Sequence, residues 1–591
     1  MAPHALADAL ALLPQPGRRG LDLRWLVDSH RAPGQFFERL FALLPEVSQV
    51  GAQSALGRSF DLYADMVTRH LGSGATALRV HDPSRSAPSP WRTLSYEGLD
   101  QRCATMARAW RAQGVEAGAS VCVVSPFGEQ AIIALLTGLR LGACVSLLEP
   151  DGPDYLARRL ALLAPAYVAC DPFHAGWLGE DPDALDFSLL RPELDASALP
   201  PSPSVAGSHC YDPEAACALL FSPLRPEAEQ PVPLTAANAF SGALRDGALC
   251  LALRPGDALA APGFDAHQHQ PALLFAALIM GASYVHIDED ALLRAPELLS
   301  RWPLRSLGLR AGVRDALLAA GPGQQRPRWE HLFKNPEEPC DWLAWRELIE
   351  GFGLEKIALS NLVFDAAAGG CLLASPRRPA LAALAQLMDV CAAPGRAWAL
   401  LDFSKSGQRT PADVGVFAPL EGVVTAEDEG DLGGPAYLVL GHRRGPEYLY
   451  GGTTEPRRCG QVYPVDEVLD ALADCPFLHA ASLVPVVSGG ATLAYRFVLL
   501  GFTGSEDEAH FMKLRAPRIS ELLRVLDTRL GPRLLPDHVE LFPCHARLRD
   551  GQVDHAWCRD QYLGGALLQK RRAPAFRRLD QLRAMLLETP A

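Results

Sequence analysis

The stretch that decides the fold is TLSYEGLDQRCATMARAWRAQGVEAGASVCVV, residues 93–124, in which an amphipathic segment leads into a short apolar run. Apolar residues recur there at helical spacing up to Gly114, a typical helix stop, and an unbroken apolar run begins at Val121. Further apolar runs begin at Cys144 and Tyr167, with helix-like stretches between them. Strands that alternate with helices are typical of parallel βαβ units, so we predict an α/β fold.

The same alternation continues towards the C-terminus after a Pro/Ser-rich surface connection at 198–209. We predict strands at 216–222 and 284–287 and a helix at 273–280, followed by a smaller α+β segment with helices at 468–472 and 519–530 and strands at 480–486 and 495–502. The resulting division is an N-terminal helical extension (1–59), a large domain of parallel and mixed sheets (60–440), a small mobile α+β domain (441–565) and a basic tail (566–591). The tail is either a solvated helical face or a docking segment for an acidic partner or membrane surface.

Composition excludes several classes of protein. Apolar residues make up 49% of the 591 residues, which is typical of a globular protein and excludes a disordered or fibrous one. The formal net charge of −13 argues against nucleic acid as a partner. The 14 cysteines form no C-x-x-C pair, which indicates buried thiols in a reducing compartment. The N-terminus does not resemble a signal peptide, and the most apolar window, 271–287, favours a buried helix and strand over a transmembrane segment, so we expect a cytoplasmic protein.

Several segments, taken in order, resemble the adenylate-forming superfamily, which includes acyl-CoA synthetases, fatty acyl-AMP ligases and the adenylation domains of peptide synthetases. Residues 93–170 are similar to its first βαβ half, residues 253–283 to its acyl or amino-acid pocket segment, and residues 459–486 to the start of its mobile small domain. The resemblance covers about residues 60–562 and implies a chemistry in which a carboxylate attacks the α-phosphate of ATP. Such a site needs N–H donors, hydroxyls, a cation and a metal around the phosphates.

The phosphate-loop slot is FSPLRPEAEQPVPLT, residues 221–235, which resembles the family's Y-T-S-G-T-T-G-x-P-K-G-V-x-L-T without a gap. Its flanks match, but its working positions are substituted: Leu224 and Glu227 replace glycines, Arg225 and Pro226 replace threonines, and Gln230 replaces the lysine. A Cβ restricts the backbone of a loop that glycine leaves open, and proline lacks an N–H donor. This loop is therefore degenerate, unless the true phosphate loop lies in another segment.

The metal and lysine slots are also altered. Residues 361–367, NLVFDAA, resemble the family's N-x-Y-G-x-T-E, with Ala366 at the threonine and Ala367 at the metal-binding glutamate. Asp365 lies beside them and would be a shorter substitute, out of register. Residues 550–555, DGQVDH, resemble the late N-G-K-V-D-R, with Gln552 at the lysine position. None of the five lysines of the chain occupies a matching motif.

Four further residues are candidates for a retained binding surface. Phe264 and Asp265 resemble the Phe-Asp pair of peptide-synthetase adenylation domains, in which the aspartate pairs with a substrate amino group; the alternative is an ordinary strand-end aspartate. His267 is a third pocket candidate, and with His269 it forms an H-x-H pattern that fits a metal pair or, without an identifiable third ligand, a polar loop. Asp431 resembles the residue that holds the ribose hydroxyls.

Two later segments resemble shorter family motifs. Arg443, after Gly441, resembles the family's hinge pair. The segment YGGTTE, residues 450–455, superficially resembles Tyr-Gly-x-Thr-Glu but carries one residue too many and stands far downstream of the expected slot. We predict a polar turn or hairpin loop there.

These substitutions predict a pseudoenzyme that keeps the adenylate-forming fold without adenylation, and without a cofactor or metal. Its expected partners are an acyl or aminoacyl small molecule, or an active ligase or carrier protein. One alternative is an atypical ligase that uses ATP and Mg²⁺ at a site rebuilt from Arg225, Arg549 and Asp365. Another is acyl transfer from a preformed thioester in a pocket of the same fold.

Overall fold

A computed structural model provides the structure of the chain. It describes residues 59–82, 90–171, 173–178, 184–185, 207–225, 230–264, 268–323, 327–336, 341–396, 398–402, 412–419, 437, 439–444, 447–453, 457–458, 461–488, 494–505, 507–549 and 551–569. The predictions for the N-terminal extension up to residue 58, for most of the 198–209 connection, for Asp265, His267 and Asp431, and for the tail from residue 570 lie outside these residues.

The described helices and strands follow the predicted alternation. The α-helices are α1 (Leu62–Met66), α2 (Tyr96–Ala112), α3 (Glu129–Leu141), α4 (Pro153–Leu163), α5 (Ala236–Arg245), α6 (Ala272–Ile279), α7 (Glu289–Arg294), α8 (Ala311–Ala320), α9 (Trp342–Gly351), α10 (Ala380–Ala383), α11 (Val465–Asp470), α12 (Glu508–Leu530), α13 (His555–Leu563) and α14 (Ala566–Gln569). The strands of the first half are β1 (Thr76–His81), β2 (Trp91–Ser95), β3 (Ser120–Val124), β4 (Cys144–Leu148), β5 (Tyr167–Cys170), β6 (Ala184–Leu185), β7 (Ala216–Phe221), β8 (Pro231–Thr235), β9 (Ala258–Ala260), β10 (Ser283–His286), β11 (Ser306–Gly308), β12 (His331–Lys334) and β13 (Ala358–Asp365). Those of the second half are β14 (Gly370–Ala374), β15 (Arg378–Pro379), β16 (Asp389–Ala392), β17 (Trp398–Leu401), β18 (Val414–Pro419), β19 (Val439–Arg444), β20 (Glu447–Thr453), β21 (Arg457–Arg458), β22 (Gln461–Val462), β23 (Ala480–Ser488), β24 (Ala494–Phe502), β25 (His538–Phe542), β26 (Leu548–Arg549) and β27 (Gln552–Val553).

The predicted βαβ stretch forms a mixed sheet with the order β6-β5-β3-β4-β7-β8. All its pairs are parallel except β7 with β8. Helix α3 joins β3 to β4 and ends at Gly142, whose φ of 82° lies in the left-handed region that glycine favours. The predicted α/β fold is confirmed.

A longer sheet has the order β17-β18-β19-β20-β16-β14-β13-β12-β11-β9-β10-β1-β2, with β15 paired to β13. From β13 to β1 its strands are parallel, whereas β14 and the strands beyond it are antiparallel. The carboxyl ends of β9, β11, β12 and β13 therefore meet at one edge, where ligands bind in open α/β sheets.

The chain divides into two compact units. One comprises Met1–Glu149, Leu162–Glu338 and Trp342–Thr454, and the other comprises Pro150–Ala161, Pro339–Asp341 and Glu455–Ala591. The second unit contains the three-stranded sheet β23-β24-β25, in which β24 pairs antiparallel with β23 and parallel with β25. This arrangement confirms the predicted small α+β segment.

The interior is built from the apolar faces that the sequence indicated. Leu99, Cys103, Met106 and Trp110 of α2 are all fully buried. Helix α6 is buried on every side, as expected for a core helix. Among the helices that the structure describes, none has the length and apolar character needed to cross a membrane.

The prediction of a polar turn at 450–455 is wrong for its described part. Residues 450–453 belong to β20, which pairs antiparallel with β19. Tyr450 is 2% exposed and packs in an apolar cluster, because the alternation of strand side chains turns it towards the interior.

Candidate nucleotide site

The phosphate-loop slot and the metal segment meet in the structure. The loop at 222–225 follows the end of β7, and Asp365 ends β13 and caps the short turn Ala366–Ala368. The Ser222 hydroxyl donates a hydrogen bond to Asp365 Oδ2 at 2.9 Å. Two segments far apart in sequence thus meet at the strand ends.

Asp365 is held entirely by groups of the chain itself. Its Oδ1 accepts the Ala367 N–H at 3.0 Å, and its Oδ2 accepts the Ser222 hydroxyl and lies 3.8 Å from Arg225 Nε. Ser222 and Asp365 are both fully buried. The chain itself therefore already supplies the cation and the hydrogen-bond donors that this carboxylate requires.

Arg225 links this carboxylate to a tyrosine. Its Nη2 donates to Tyr437 Oη at 3.3 Å, and its guanidinium lies 5.4 Å from the centre of the Tyr437 ring. A guanidinium over an aromatic face gains electrostatic stabilisation. We call Ser222, Arg225, Asp365 and Tyr437 the Asp365 network.

Burial governs the protonation of the network. It raises the pKa of Asp365 above the ordinary aspartate value, against the opposing effects of Arg225, the Ser222 hydroxyl and the Ala367 N–H. Burial, followed by the charge of Asp365, raises the pKa of Tyr437 to about 12. Tyr437 is therefore a neutral phenol near pH 7.

Leu224 fixes the loop to the interior. Its side chain is fully buried in a cluster with Val363, Leu372, Trp398 and Tyr437. The Ser222 hydroxyl also accepts the Leu224 N–H at 3.4 Å, which closes a local turn. The buried Leu224 side chain thus anchors the described part of the loop, residues 222–225, to the interior.

These residues do not fit magnesium triphosphate. Asp365 is the single carboxylate among residues 361–367, and the adjacent Ala366 and Ala367 are buried methyl groups that cannot coordinate a metal. Gln230 is exposed immediately before β8 and carries no charge for a phosphate. We therefore derive no reaction step through ATP or Mg²⁺ at this site.

The late lysine slot lies in the second unit. Gln552 begins β27, which pairs with β26 around Gly551, a turn residue with a φ of 82°. Gln552 and Arg549 face each other in this hairpin, and both are exposed. The hairpin is retained, but a neutral amide replaces the ammonium group of the family pattern.

Aromatic rings fill the pocket end of the parallel strands. Phe264 lies 5.2 Å from Phe333 and 4.8 Å from His269 between ring centres, and Phe333 lies 6.4 Å from Phe364. All four residues, which we call the aromatic cluster, are at most 5% exposed. A Cβ added at Gly308 would meet the rings of Phe264 and Phe333 at 2.7–2.9 Å, so the rings pack directly on the β11 backbone. His269 lies in a turn, as the polar-loop prediction expects, but its side chain is buried because the aromatic rings enclose it.

Arg443 lies within β19 rather than in a loop. It is exposed and pairs in register with Tyr448 of β20. Its hinge role stays a prediction.

Sequence reasoning missed Ser222 and Tyr437. Ser222 stands at a hydroxyl position of the family loop, so its survival was a usable signal. Tyr437 belongs to no motif and meets Arg225 across 212 residues, which no local pattern indicates. The arginine in one slot and the aspartate in the other were a further signal, because opposite charges in neighbouring motifs favour pairing.

No protein-family model matches the chain, and no curated protein does. Solved structures do. A double mutant of o-succinylbenzoate CoA synthetase from Bacillus subtilis, bound with its product analogue, superposes with a TM-score of 0.64 at 14% identity, covering 85% of this chain and 98% of that one. The amide bond synthetase from Marinactinospora thermotolerans gives a TM-score of 0.62 at 16% identity, covering 85% of this chain and 99% of that one. The chain therefore has the fold of adenylate-forming enzymes, which confirms the predicted resemblance at the level of fold.

Proposed function

We propose that this protein keeps the fold of adenylate-forming ligases but does not adenylate, and that it acts by binding an acyl or aminoacyl group or by organising an active ligase or carrier protein. The Asp365 network is the observation that carries the proposal. Hydrogen bonds and an ion pair within this network join the phosphate-loop slot to the metal segment. The Asp365 carboxylate, which is nearest to the position of the family's metal-binding glutamate, is occupied by these contacts.

The energetic argument concerns the phosphate oxygens. Removing a single preorganised donor from a site that stabilises developing charge costs about 3 kcal/mol, or about 10²–10³ in rate. Here the loop glycines, its lysine, the threonine, the glutamate and the late lysine are all replaced. Such losses are not additive, but they act on one transition state and none of the described substitutes restores a flexible donor loop.

ATP–pyrophosphate exchange across a panel of carboxylic and amino acids tests the loss of adenylation. We expect exchange at the level of the no-enzyme control, with protein whose cooperative thermal unfolding shows that it is folded. Exchange that depends on the acid and disappears in Arg225→Ala would contradict the proposal and support the rebuilt ligase site with Arg225, Arg549 and Asp365.

The binding role has its own test. Calorimetric titrations with an acyl-CoA, with the free acid and with an acylated carrier protein, all without nucleotide, measure what the fold still recognises. Saturable binding supports the binding role, and release of free CoA during the titration would instead support acyl transfer. No binding by any of the three, or by an active ligase in the same assay, would contradict it.

A further inference from the structure

A second cluster of ligand-type atoms lies behind the candidate nucleotide site. Asp246 follows α5 and begins a single π-helical turn, Asp246–Cys250, and Cys371 lies in β14 next to the metal segment. The Asp246 carboxylate and the Cys250 and Cys371 sulfurs all lie within 4.8 Å of one another. All three residues are buried, and we call them the thiol cluster. Isolated π-helical turns occur frequently at functional sites.

The backbone is shaped to bring these groups together. Asp246 Oδ2 accepts the Cys371 N–H at 2.8 Å, which ties the π-helical turn to β14. Gly370 has a φ of 116°, and a Cβ at this position would collide with that carboxylate. Only glycine allows the strand to approach so closely.

A buried donor points into the cluster. Arg245 is 2% exposed, and its Nε donates to Asp246 Oδ1 at 2.7 Å. Its Nη2 lies beside Gly370 and has no hydrogen-bond partner among the described residues. An unsatisfied buried N–H is costly, and a metal-bound thiolate is a strong acceptor for such a donor. Arg245 therefore occupies the position of an outer partner to a thiolate site.

We propose that Asp246, Cys250 and Cys371 bind one thiophilic metal ion, Zn²⁺, with Arg245 as a hydrogen-bond donor to the bound thiolates. Binding of Zn²⁺ forms two zinc–sulfur bonds and one zinc–oxygen bond, and two thiol protons leave to solvent. The exchange of two protons for one Zn²⁺ adds no net charge to the buried site. A water or small thiol completes four-coordination.

Distances and protonation agree with this assignment. Tetrahedral zinc with bonds of about 2.3 Å places two sulfurs about 3.8 Å apart, which is compatible with ligand atoms that lie within 4.8 Å of one another. A cysteine thiol must lose its proton to bind zinc as a thiolate. We therefore expect zinc binding to weaken as pH falls.

Metal analysis of the full chain, purified from zinc-supplemented cells and dialysed, is the first test. We expect about one zinc per chain, and a loss of about tenfold or more in Cys250→Ser and in Cys371→Ser, since mutation of even an outer-shell partner typically costs about 10–100-fold in metal affinity. Cys217→Ser is the matched control, because Cys217 is a fully buried thiol outside the cluster. Zinc below one-tenth of the chain concentration, or equal zinc in all variants, overturns the proposal.

A second measurement needs no variant. Apo wild-type protein titrated with Co²⁺ should develop a thiolate-to-cobalt charge-transfer band that saturates at one equivalent and is abolished by added Zn²⁺. Absence of that band, or a Cys250–Cys371 disulfide found by mass spectrometry of freshly prepared protein, overturns the proposal. Neither result depends on ATP, so this proposal and the proposed function fail independently.

Discussion

Leu224 and Arg225 change the phosphate loop by two different physical effects. Leu224 replaces backbone freedom with apolar burial, since its side chain is fully enclosed beside Val363. Arg225 instead supplies a tethered cation 3.8 Å from Asp365. The sequence predicted that these residues damage phosphate binding, but it did not predict that they stabilise another arrangement, because their partners come from distant strands.

Replacing the anchoring leucine with the family's residue tests the first effect. We expect Leu224→Gly to lower the free energy of unfolding by about 2–5 kcal/mol, since a buried side chain is lost, and to produce no exchange activity. Urea unfolding measures the loss. Leu224→Met is the matched control and should cost less than about 1.5 kcal/mol. Wild-type stability in Leu224→Gly would show that the loop is not anchored.

The pH dependence of stability tests the buried carboxyl. Because the folded-state pKa of Asp365 is raised, the folded protein binds this proton more tightly than the unfolded chain. The associated stability is fully present below the ordinary value of 3.8 and is lost as pH rises through the folded-state pKa. We therefore compare the free energies of unfolding of wild type and Asp365→Asn as a function of pH. The difference, wild type minus variant, should fall as pH rises above 3.8. A difference that rises with pH would contradict the assignment.

At the scale of elements, apolar runs in the sequence predicted the bounds of the buried strands accurately. The predicted runs at 144–148 and 167–170 coincide with β4 and β5, because parallel strands covered on both faces are apolar throughout. The segment at 450–453 was misjudged because its two glycines and its threonine resemble a turn, while its pairing with β19 is not visible in the local sequence. The pairing of strands that are distant in sequence cannot be predicted from the periodicity of a local segment.

A buried histidine joins three central strands and gives an element-scale prediction. The Nδ1 atom of His331, in β12, lies 2.8 Å from Ser306 Oγ of β11. Its Nε2 atom lies 2.7 Å from Ser360 Oγ of β13. Arg377 Nη2 also lies 2.7 Å from Nδ1, so Nδ1 accepts and Nε2–H donates. Burial, followed by Arg377, holds the pKa of His331 well below its ordinary value.

This depressed pKa means that stability is present above the ordinary histidine value of 6.5 and is lost as pH falls below it. In this pH range, each such histidine lowers the free energy of unfolding by about 1.4 kcal/mol for every unit that the pH falls. Between about pH 6.5 and 5, we expect the free energy of unfolding of His331→Gln to fall less steeply than that of wild type. The difference in slope should correspond to the uptake of about one proton on unfolding. His70 and His286, whose pKa values burial lowers to about 4, remain in both proteins as a shared background. Equal slopes would contradict the prediction.

For the whole molecule, the resemblance predicted the fold because many weak matches stood in the right order, and the solved structures share that fold at 14–16% identity. It could not predict which contacts the substituted residues of the motif slots make. The altered residues are spread over a loop after β7, the end of β13 and a hairpin of the second unit. We therefore expect that a substitution at one position does not create adenylation activity.

Restoring the late lysine alone tests that statement. Gln552 is exposed in its hairpin, so Gln552→Lys should change the unfolding free energy by less than about 0.5 kcal/mol. We expect exchange activity to stay at background, because the loop and metal segment remain altered. Gln552→Arg serves as the matched charge control. Acid-dependent exchange in Gln552→Lys would show that one missing ammonium group was the whole defect.

The most direct measurement is calorimetric titration of the wild-type protein with MgATP. The Asp365 network and the buried Leu224 predict no saturable heat at millimolar nucleotide and no shift of the unfolding temperature. Saturable one-to-one binding that is weakened by Arg225→Ala or Asp365→Asn would contradict the account, because it would show that the internal bonds open to hold a triphosphate.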